Sequence, residues 1–462
     1  MQLYKHKSVV QKAKDDKLFV WFWMRWSTLT AAERFACAHI ILIPVWWVAG
    51  LYKYMLLFVL LCVVAYEVLQ HRELRLQLPS LPVVALFTFG AYQIVRIFIH
   101  YAEPGRPSFS GVFMSWFCPA LLLWYVQSNN VKIRIEPVAW ACTVSAIQMI
   151  VFWLLLQFVL PKSLFLPPQI PTLFTLVKGG LDPEDAATGI ISPFLAPYEI
   201  STGSVGNLYR LSLFFVSSQL FGFISGFFSL VALEIKNRWW SLLLLAASFL
   251  LMALSATRAI WVVFPLVFGL RYILNKFGNR WGPPIISAAL AAISFVLLSI
   301  PPATYGFLNL LASTSQSVDE MRAGSTEQRM EIYRQTWLAI QENPLWGHGS
   351  RGGVISLSGA DYNLVGSHSV ILGDLLYMNG WVGTVIFVTF WISLFVWLYQ
   401  TRTGRPFLCF FLLLLFTLVS PTMAAVFDTP FSALMILLCV AIRYPKQNAL
   451  KPKRALRRSL YA

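Results

Sequence analysis

Charge is what this chain has least of. Of its 462 residues 20 are acidic and 36 basic, so 12% of the chain is charged, about half the usual share of a soluble globular domain. With 58% hydrophobic residues and a mean hydropathy of +0.65, the soluble classes are excluded. Cysteine is also sparse. The six, Cys37, Cys62, Cys118, Cys142, Cys409 and Cys439, all fall inside apolar stretches without metal-ligand spacing. That excludes a zinc cluster and a disulfide framework, and leaves small core residues. There is no phosphate-binding glycine loop and no visible internal repeat, which counts against an ATP-driven pump and an inverted-repeat transporter. A cleavable signal peptide is not expected, because about thirty polar and amphipathic residues precede the first apolar run.

What remains is apolar sequence in blocks. A spanning helix needs roughly 20 mostly apolar residues, and about twelve such stretches occur. They lie near 32–50, 51–70, 80–100, 110–127, 137–160, 209–233, 239–256, 259–275, 284–301, 367–400, 406–424 and 429–442. The expected architecture is an all-α polytopic integral membrane protein. A basic N-terminal arm (1–30) leads into five spans (31–160), an outer loop (161–208), four spans (209–301), a second outer loop (302–366), three spans (367–443) and a basic tail (444–462).

Basic residues of short loops stay on the cytoplasmic side. Lys5, Lys7, Lys12, Lys14 and Lys17 stand before the first span, and Lys446, Lys451, Lys453, Arg454, Arg457 and Arg458 follow the last. Both termini are therefore expected to be cytoplasmic. Every second break repeats the sign: Arg72 with Arg75, Lys132 with Arg134, Lys236 with Arg238, Lys276 with Arg280, Arg402 with Arg405. The net charge of +16 is thus a topology signal and an attraction to anionic membrane lipids, not a mark of nucleic-acid binding.

Two long segments then fall outside, about 161–209 and 301–366, and long loops without a function are uncommon. The first carries Pro167, Pro168, Pro171, Gly179, Gly180 and Pro197, a covering loop with short helices, and ends at Tyr209-Arg210, where the sixth span is expected to start. In the second, Ser325 followed by Gln328 is a capping-box pattern and Asn343-Pro344 a stop, predicting a helix over 326–342. A helical wheel separates its two arginines. Arg329 falls beside Tyr333, Thr336, Trp337 and Ile340; Arg334 falls with Glu327, Glu331 and Gln341.

A guanidinium on an apolar face is costly unless it meets an anion. For Arg329 that anion is either a structural partner or a ligand phosphate. Arg258, in Leu254-Ser255-Ala256-Thr257-Arg258, interrupts two apolar runs at the outer face, and Arg210 opens the sixth stretch. Each can be read as an interfacial arginine whose stem lies along apolar surface. Three arginines on the outer side nevertheless run against the usual charge bias, and arginine suits bidentate contact with phosphate oxygens. A lipid-linked phosphate or diphosphate headgroup accounts for all three.

His368 stands where the second loop re-enters the membrane. It is either a hydrogen-bonded structural histidine or a base, since an ordinary imidazole titrates near pH 6.5. His348, between Gly347 and Gly349, reads as a turn residue. Asp374 and Asp428, near outer membrane ends, are candidate partners for an arginine or for His368, whereas Asp182, Glu184 and Asp185 read as solvated loop carboxylates.

In order, the chain runs Arg329-x-x-Ile332-Tyr333, Pro344-Leu345-Trp346-Gly347-x-Gly349, Ser367-His368-Ser369 and Gly380-x-x-Gly383, preceded by Ser255-x-Thr257-Arg258. This order and spacing resembles the signature of the O-antigen ligase and Wzy-type polysaccharide polymerase superfamily. The resemblance implies a GT-C-like, all-helical membrane glycosyltransferase of the bacterial cytoplasmic membrane, with its site facing the periplasm and neither metal nor nucleotide-sugar cofactor. The implied donor is an undecaprenyl-diphosphate-linked glycan, and the implied acceptor a glycolipid or glycan hydroxyl, on a lipid A core or a growing O-antigen or exopolysaccharide chain. It implies diphosphate contacts for Arg258, Arg329 and, more loosely, Arg210. The implied base is His368, with Tyr333, Gly347, Gly349 and Asp374 as candidate supporting residues. Three positions depart from the pattern: Thr257 where the family has Ser, Tyr333 where it often has Trp, and Ser369 where it frequently has Asn. None removes a charged or titrating group. Ligase and polymerase are not separated by these residues. A transporter or flippase of lipid-linked saccharides is the alternative, with Arg96 and Glu67 as pathway charges.

Overall fold

The computed structural model describes residues 18–20, 23–72, 76–101, 108–165, 169–178, 193–199, 210–276, 325–355, 363–367, 369–421 and 430–444. They are mostly helical, and the few strands are two residues long. Thr30 opens the first helix with a reciprocal capping box to Glu33. Helix α1 (Ala31–Ile41) and helix α2 (Ile43–Ala49) meet at 58°, where Pro44 begins a new helix rather than continuing the old one. Then follow α3 (Tyr52–Gln70), α4 (Leu81–Ile99), α5 (Phe109–Ser128) and α6 (Ile135–Phe158), each long and apolar enough to cross a membrane. Shorter apolar helices α7 (Ser218–Ala232) and α8 (Arg238–Leu254) precede the long α9 (Arg258–Lys276). The polar α10 (Ser325–Glu342) is followed by α11 (Val370–Gln400), α12 (Leu408–Val419) and α13 (Pro430–Ala441).

Every expected apolar stretch except one coincides with a described helix. The exception, 284–301, lies outside the described residues. The sixth stretch needs correction: Arg210, the first described residue there, does not open a helix. Arg210–Leu211 is a short strand, β2, paired antiparallel with β1 (Tyr198–Glu199). A turn follows, with the Phe215 amide donating to the Ser212 carbonyl. Helix α7 starts only after Ser217, whose side chain accepts from the Leu220 amide. Apolar residues at 211–216 satisfy a hydropathy window without being helical. The four shorter apolar helices span 12 to 17 residues, less than a straight crossing of a bilayer needs.

Helix α7 is apolar all round and buried all round, as expected of a helix at the centre of a bundle. Phe221, Phe223, Phe227 and Phe228 are wholly buried. Its glycines admit neighbours: a Cβ on Gly222 would meet Ser255 Oγ at 2.7 Å, and one on Gly226 would meet Leu415 at 3.2 Å. Helix α3, by contrast, exposes Leu61, Val64, Val68 and Leu69, a face that hydrocarbon would cover.

The helix ends sort into two groups. At one end Arg134 donates to Glu33 at 2.7 Å, and residue 133 pairs with 442. Arg405 donates to the Cys439 and Val440 carbonyls at 2.7 Å each, and the Tyr444 amide donates to the Gly404 carbonyl. Glu234 there accepts from Arg271 at 2.7 Å, from the Leu408 amide and from the Tyr444 hydroxyl. These are the basic breaks of the sequence, brought together. The opposite end carries the turn before α9, the start of α7, residues 344–351 and the start of α11, joined to α12 where the Val370 amide donates to the Ser420 carbonyl. Consecutive described spans run alternately between these ends, as the charge pattern requires. All six cysteines are free and five are buried.

Candidate functional site

Two assemblies form at the end opposite the basic breaks. The first joins Arg210 to Arg258. Arg210 Nη1 lies 3.9 Å from Glu199 Oε1 across the β1–β2 pair. The other oxygen of Glu199 accepts from the Ser218 amide at 2.9 Å, at the first turn of α7. The carbonyl of Ser218 then accepts from Thr257 Oγ1 at 3.0 Å. Thr257 is the residue before Arg258, and its own amide donates to Ser255 Oγ. Thus Ser255-Ala256-Thr257 is a tight polar turn, with Ala256 at φ +49°, docked against Gly222. Arg258 emerges from it half-buried as the first residue of α9.

The second assembly is built on glycines. Gly347 (φ +71°) and Gly380 (φ +60°) lie against each other: a Cβ on Gly347 would stand 2.6 Å from the Gly380 amide nitrogen and the Tyr377 carbonyl, and one on Gly380 would run into the Leu345 carbonyl. The Trp381 amide donates to the Pro344 carbonyl at 2.8 Å, and His348 N–H to the Tyr377 carbonyl at 2.8 Å. Both glycines occupy a backbone region that other residues enter at a cost. Gly366 (φ +82°) sits against the Tyr377 ring, and its amide donates to Thr336 Oγ1 on α10 at 2.9 Å. The segments around residues 336, 347, 366 and 380 therefore form one interlocked body. Its centre is a π-helical opening of α11, Val370–Tyr377, capped by Ser369, whose hydroxyl accepts from the Leu372 amide. Such wide turns often mark functional sites.

Arg96 of α4 fastens this body to the bundle. It is only 2% exposed. Nη1 donates to Gln93 Oε1 (2.7 Å) and Asn379 Oδ1 (2.8 Å), and Nη2 to the His348 carbonyl (2.8 Å) and the Gly349 carbonyl (3.4 Å). Tyr92 donates to the Asn379 carbonyl at 2.6 Å. A guanidinium so deep is tolerable because side-chain and backbone oxygens accept from it. Glu67, the other intramembrane charge weighed for a transport pathway, accepts from the Tyr125 hydroxyl at 2.5 Å. Both charges thus have partners within the bundle.

The expected site residues fare unequally. Gly347 and Gly349 are buried in the interlocked loop. Asp374 stands in the π-helical turn with Oδ1 3.6 Å from Arg351 Nη2, an arginine that the sequence alone did not single out. Helix α10 is present with Tyr333 half-buried. Of the face expected to carry Tyr333, Thr336, Trp337 and Ile340, Thr336 and Ile340 are buried with Ile332, because the helix packs on Leu376 and Tyr377, whereas Trp337 is 47% exposed. Arg329 lies on α10. Arg334 is bonded to Glu331 at 2.7 and 2.8 Å. That bond holds the exposed Glu331 carboxyl down at about 2. His368, Asp182, Glu184, Asp185 and Asp428 lie outside the described residues; both neighbours of His368, Ser367 and Ser369, are buried.

His348 is more than the turn residue expected. Its ring stacks on Tyr377 at 4.4 Å, and Nε2 lies 2.9 Å from the Ala339 carbonyl of α10, so it ties the helix bearing Arg329 to the segment after His368. Glu199, Ser218 and Asn379 were missed, and Arg96 was weighed only as a pathway charge. A polar run at Tyr92, Gln93 and Arg96 within one helical turn was the available signal for Arg96; Glu199 gave none. Among the described residues no group of His, Cys, Asp and Glu is placed to hold a metal.

Residues 241–388 match the protein family described as O-antigen ligase. The match takes in Arg258, Arg329, Gly347, Gly349, His368, Asp374 and Gly380, and leaves Arg210 outside. No curated protein matches the chain.

Proposed function

We propose that this chain, a membrane protein of the O-antigen ligase superfamily, transfers a glycan from undecaprenyl diphosphate to a sugar hydroxyl of an acceptor glycolipid at the outer face of the bacterial cytoplasmic membrane. The observation that carries this reading is the relay Arg210–Glu199–Ser218–Thr257. It ties an arginine strand to the turn before a second arginine, at the bundle end that also holds Gly347, Asp374 and Ser367. A twelve-span, GT-C-like arrangement with cytoplasmic termini belongs to the same proposal, supported by the gathering of the basic breaks at the other end.

In this reading Arg258, Arg329 and Arg210 contact the diphosphate. As the bond from the anomeric carbon to the diphosphate oxygen breaks, negative charge develops on the leaving group, and fixed guanidinium groups in a dry site stabilise it. His368 accepts the proton of the acceptor hydroxyl as its oxygen forms the new bond to the anomeric carbon. Tyr333 and the Gly347–Gly349 loop position these groups, and Asp374 supports them through Arg351. The acceptor is a lipid A core or a growing O-antigen or exopolysaccharide chain.

The test is direct. Purified protein is supplied with an undecaprenyl-diphosphate glycan, with and without a core acceptor, and release of undecaprenyl diphosphate is followed. Release that depends on the core acceptor identifies a ligase, and release without it a polymerase. No release in either mixture would overturn the enzymatic reading.

A further inference from the structure

Glu199 occupies a place suited to a ligand anion. Its carboxylate accepts from the Ser218 amide at the first turn of α7, where the partial positive charge of a 15-residue helix attracts anions. Its other oxygen faces Arg210 at 3.9 Å, too far for the hydrogen-bonded contact of roughly 2.7–2.9 Å that a guanidinium and carboxylate form when fully engaged. Two further donors stand there unused. Arg210, whose side chain is 10% exposed, has a buried Nε without a partner among the described residues. The hydroxyl of Ser218, a fully buried residue, has none either. Burying donors without acceptors is costly. A carboxylate of two oxygens leaves this set unfilled, and a tetrahedral phosphate offers more oxygens to the same donors.

We propose that Glu199 is an intramolecular placeholder for one phosphate of the lipid diphosphate. On donor binding the Glu199 side chain, itself 29% exposed, swings away. The phosphate then takes the Ser218 amide, the Ser218 hydroxyl and the guanidinium of Arg210. After transfer, the returning carboxylate competes with the product diphosphate and hastens its release. The Ser218 carbonyl is bonded to Thr257, so the same exchange is felt at the turn that carries Arg258. This inference rests on the assignment of Arg210 to the diphosphate.

The experiment measures binding of undecaprenyl diphosphate, without glycan, to the full chain in lipid nanodiscs. Glu199→Gln should bind about five- to tenfold tighter, the gain expected from removing a competing charge worth about 1 kcal/mol. In an Arg210→Gln background the same change should bring no gain. Ser218→Ala should bind several-fold more weakly with an undiminished melting temperature, because the hydroxyl it removes has no partner to lose. Unchanged or weaker binding by Glu199→Gln, or parental binding by Ser218→Ala, would overturn the proposal. Should Glu199→Gln fail to fold, Ser218→Ala decides alone. Inorganic diphosphate should rank the variants in the same order; ranking with that ion but not with the lipid would assign the site to a free anion and also overturn it. Failure of the parent both to bind the lipid and to turn over would instead sink the transferase reading.

Discussion

Arg96 Nη2 lies 2.8 Å from the carbonyl oxygen of His348, a residue 252 positions further along the chain. One buried guanidinium thereby fixes the end of the Pro344–Gly349 loop to α4, while its other nitrogen holds the Asn379 side chain just before the Gly380 kink. Arg96→Met should strand these acceptors, at about 1–3 kcal/mol for each one left unsatisfied. Thermal unfolding followed by size-exclusion should show a clearly lower midpoint, and donor turnover should fall more than tenfold. Arg96→Lys should recover part of the stability but little turnover, because an ammonium cannot reproduce the planar fork. Parental turnover by Arg96→Met would show that the loop needs no such anchor.

Gly347 and Gly404 share the left-handed backbone, at φ +71° and +76°, but not their surroundings. A Cβ at 347 would strike backbone atoms of Tyr377 and Gly380, whereas at 404 it meets open space. Gly404→Ala should therefore cost only the backbone penalty of about 1–2 kcal/mol and keep activity. Gly347→Ala should add a clash that no side-chain movement relieves, with loss of folded protein or of turnover. Comparable folded yields and rates for the two variants would contradict the interlocked arrangement.

This contrast also marks what the sequence could reveal. Apolar blocks and alternating basic breaks exposed the helical bundle and its two ends, because hydrocarbon and membrane charge bias act on composition averaged over some twenty residues. At Arg210 composition misleads, because the mostly apolar residues that follow it belong to a strand and a turn before the helix starts. The helix over 326–342 was legible because a cap, a stop and helical periodicity are local signals. The structural role of Arg96 was not legible, because a buried charge looks the same in sequence whether it meets a substrate or a carbonyl of its own chain. Glu199 was invisible: a lone glutamate in a loop acquires meaning only when the fold sets it against Ser218.

The Glu331–Arg334 pair gives a control on α10. Its first cause, the hydrogen bond from Arg334, holds the Glu331 carboxyl at about 2, below its ordinary value near 4.3. Such a group contributes stability that is present above the unfolded value and is lost as pH falls through the folded one. The pair is therefore constant from pH 5 to 9 and cannot shape activity there. Being exposed, it is worth little. Glu331→Gln should leave both the pH profile of turnover and the melting temperature within error of the parent. A shift of the acidic limb in that variant would contradict the outward orientation of Arg334.

The sharpest contrast lies between His368 and Arg329. If His368 takes the acceptor proton, His368→Ala should lower turnover about a hundredfold or more, the usual contribution of a general base, while undecaprenyl diphosphate still binds with near-parental affinity. Arg329→Ala should instead weaken that binding as well as turnover, because a diphosphate contact acts on donor and product alike. Arg334→Ala, on the opposite side of the same helix, should do neither. The comparison needs only one assay of lipid-diphosphate release and one of lipid binding. An active His368→Ala would remove the base from the scheme, and an Arg329→Ala that binds like the parent would return Arg329 to the structural pairing that is its other explanation.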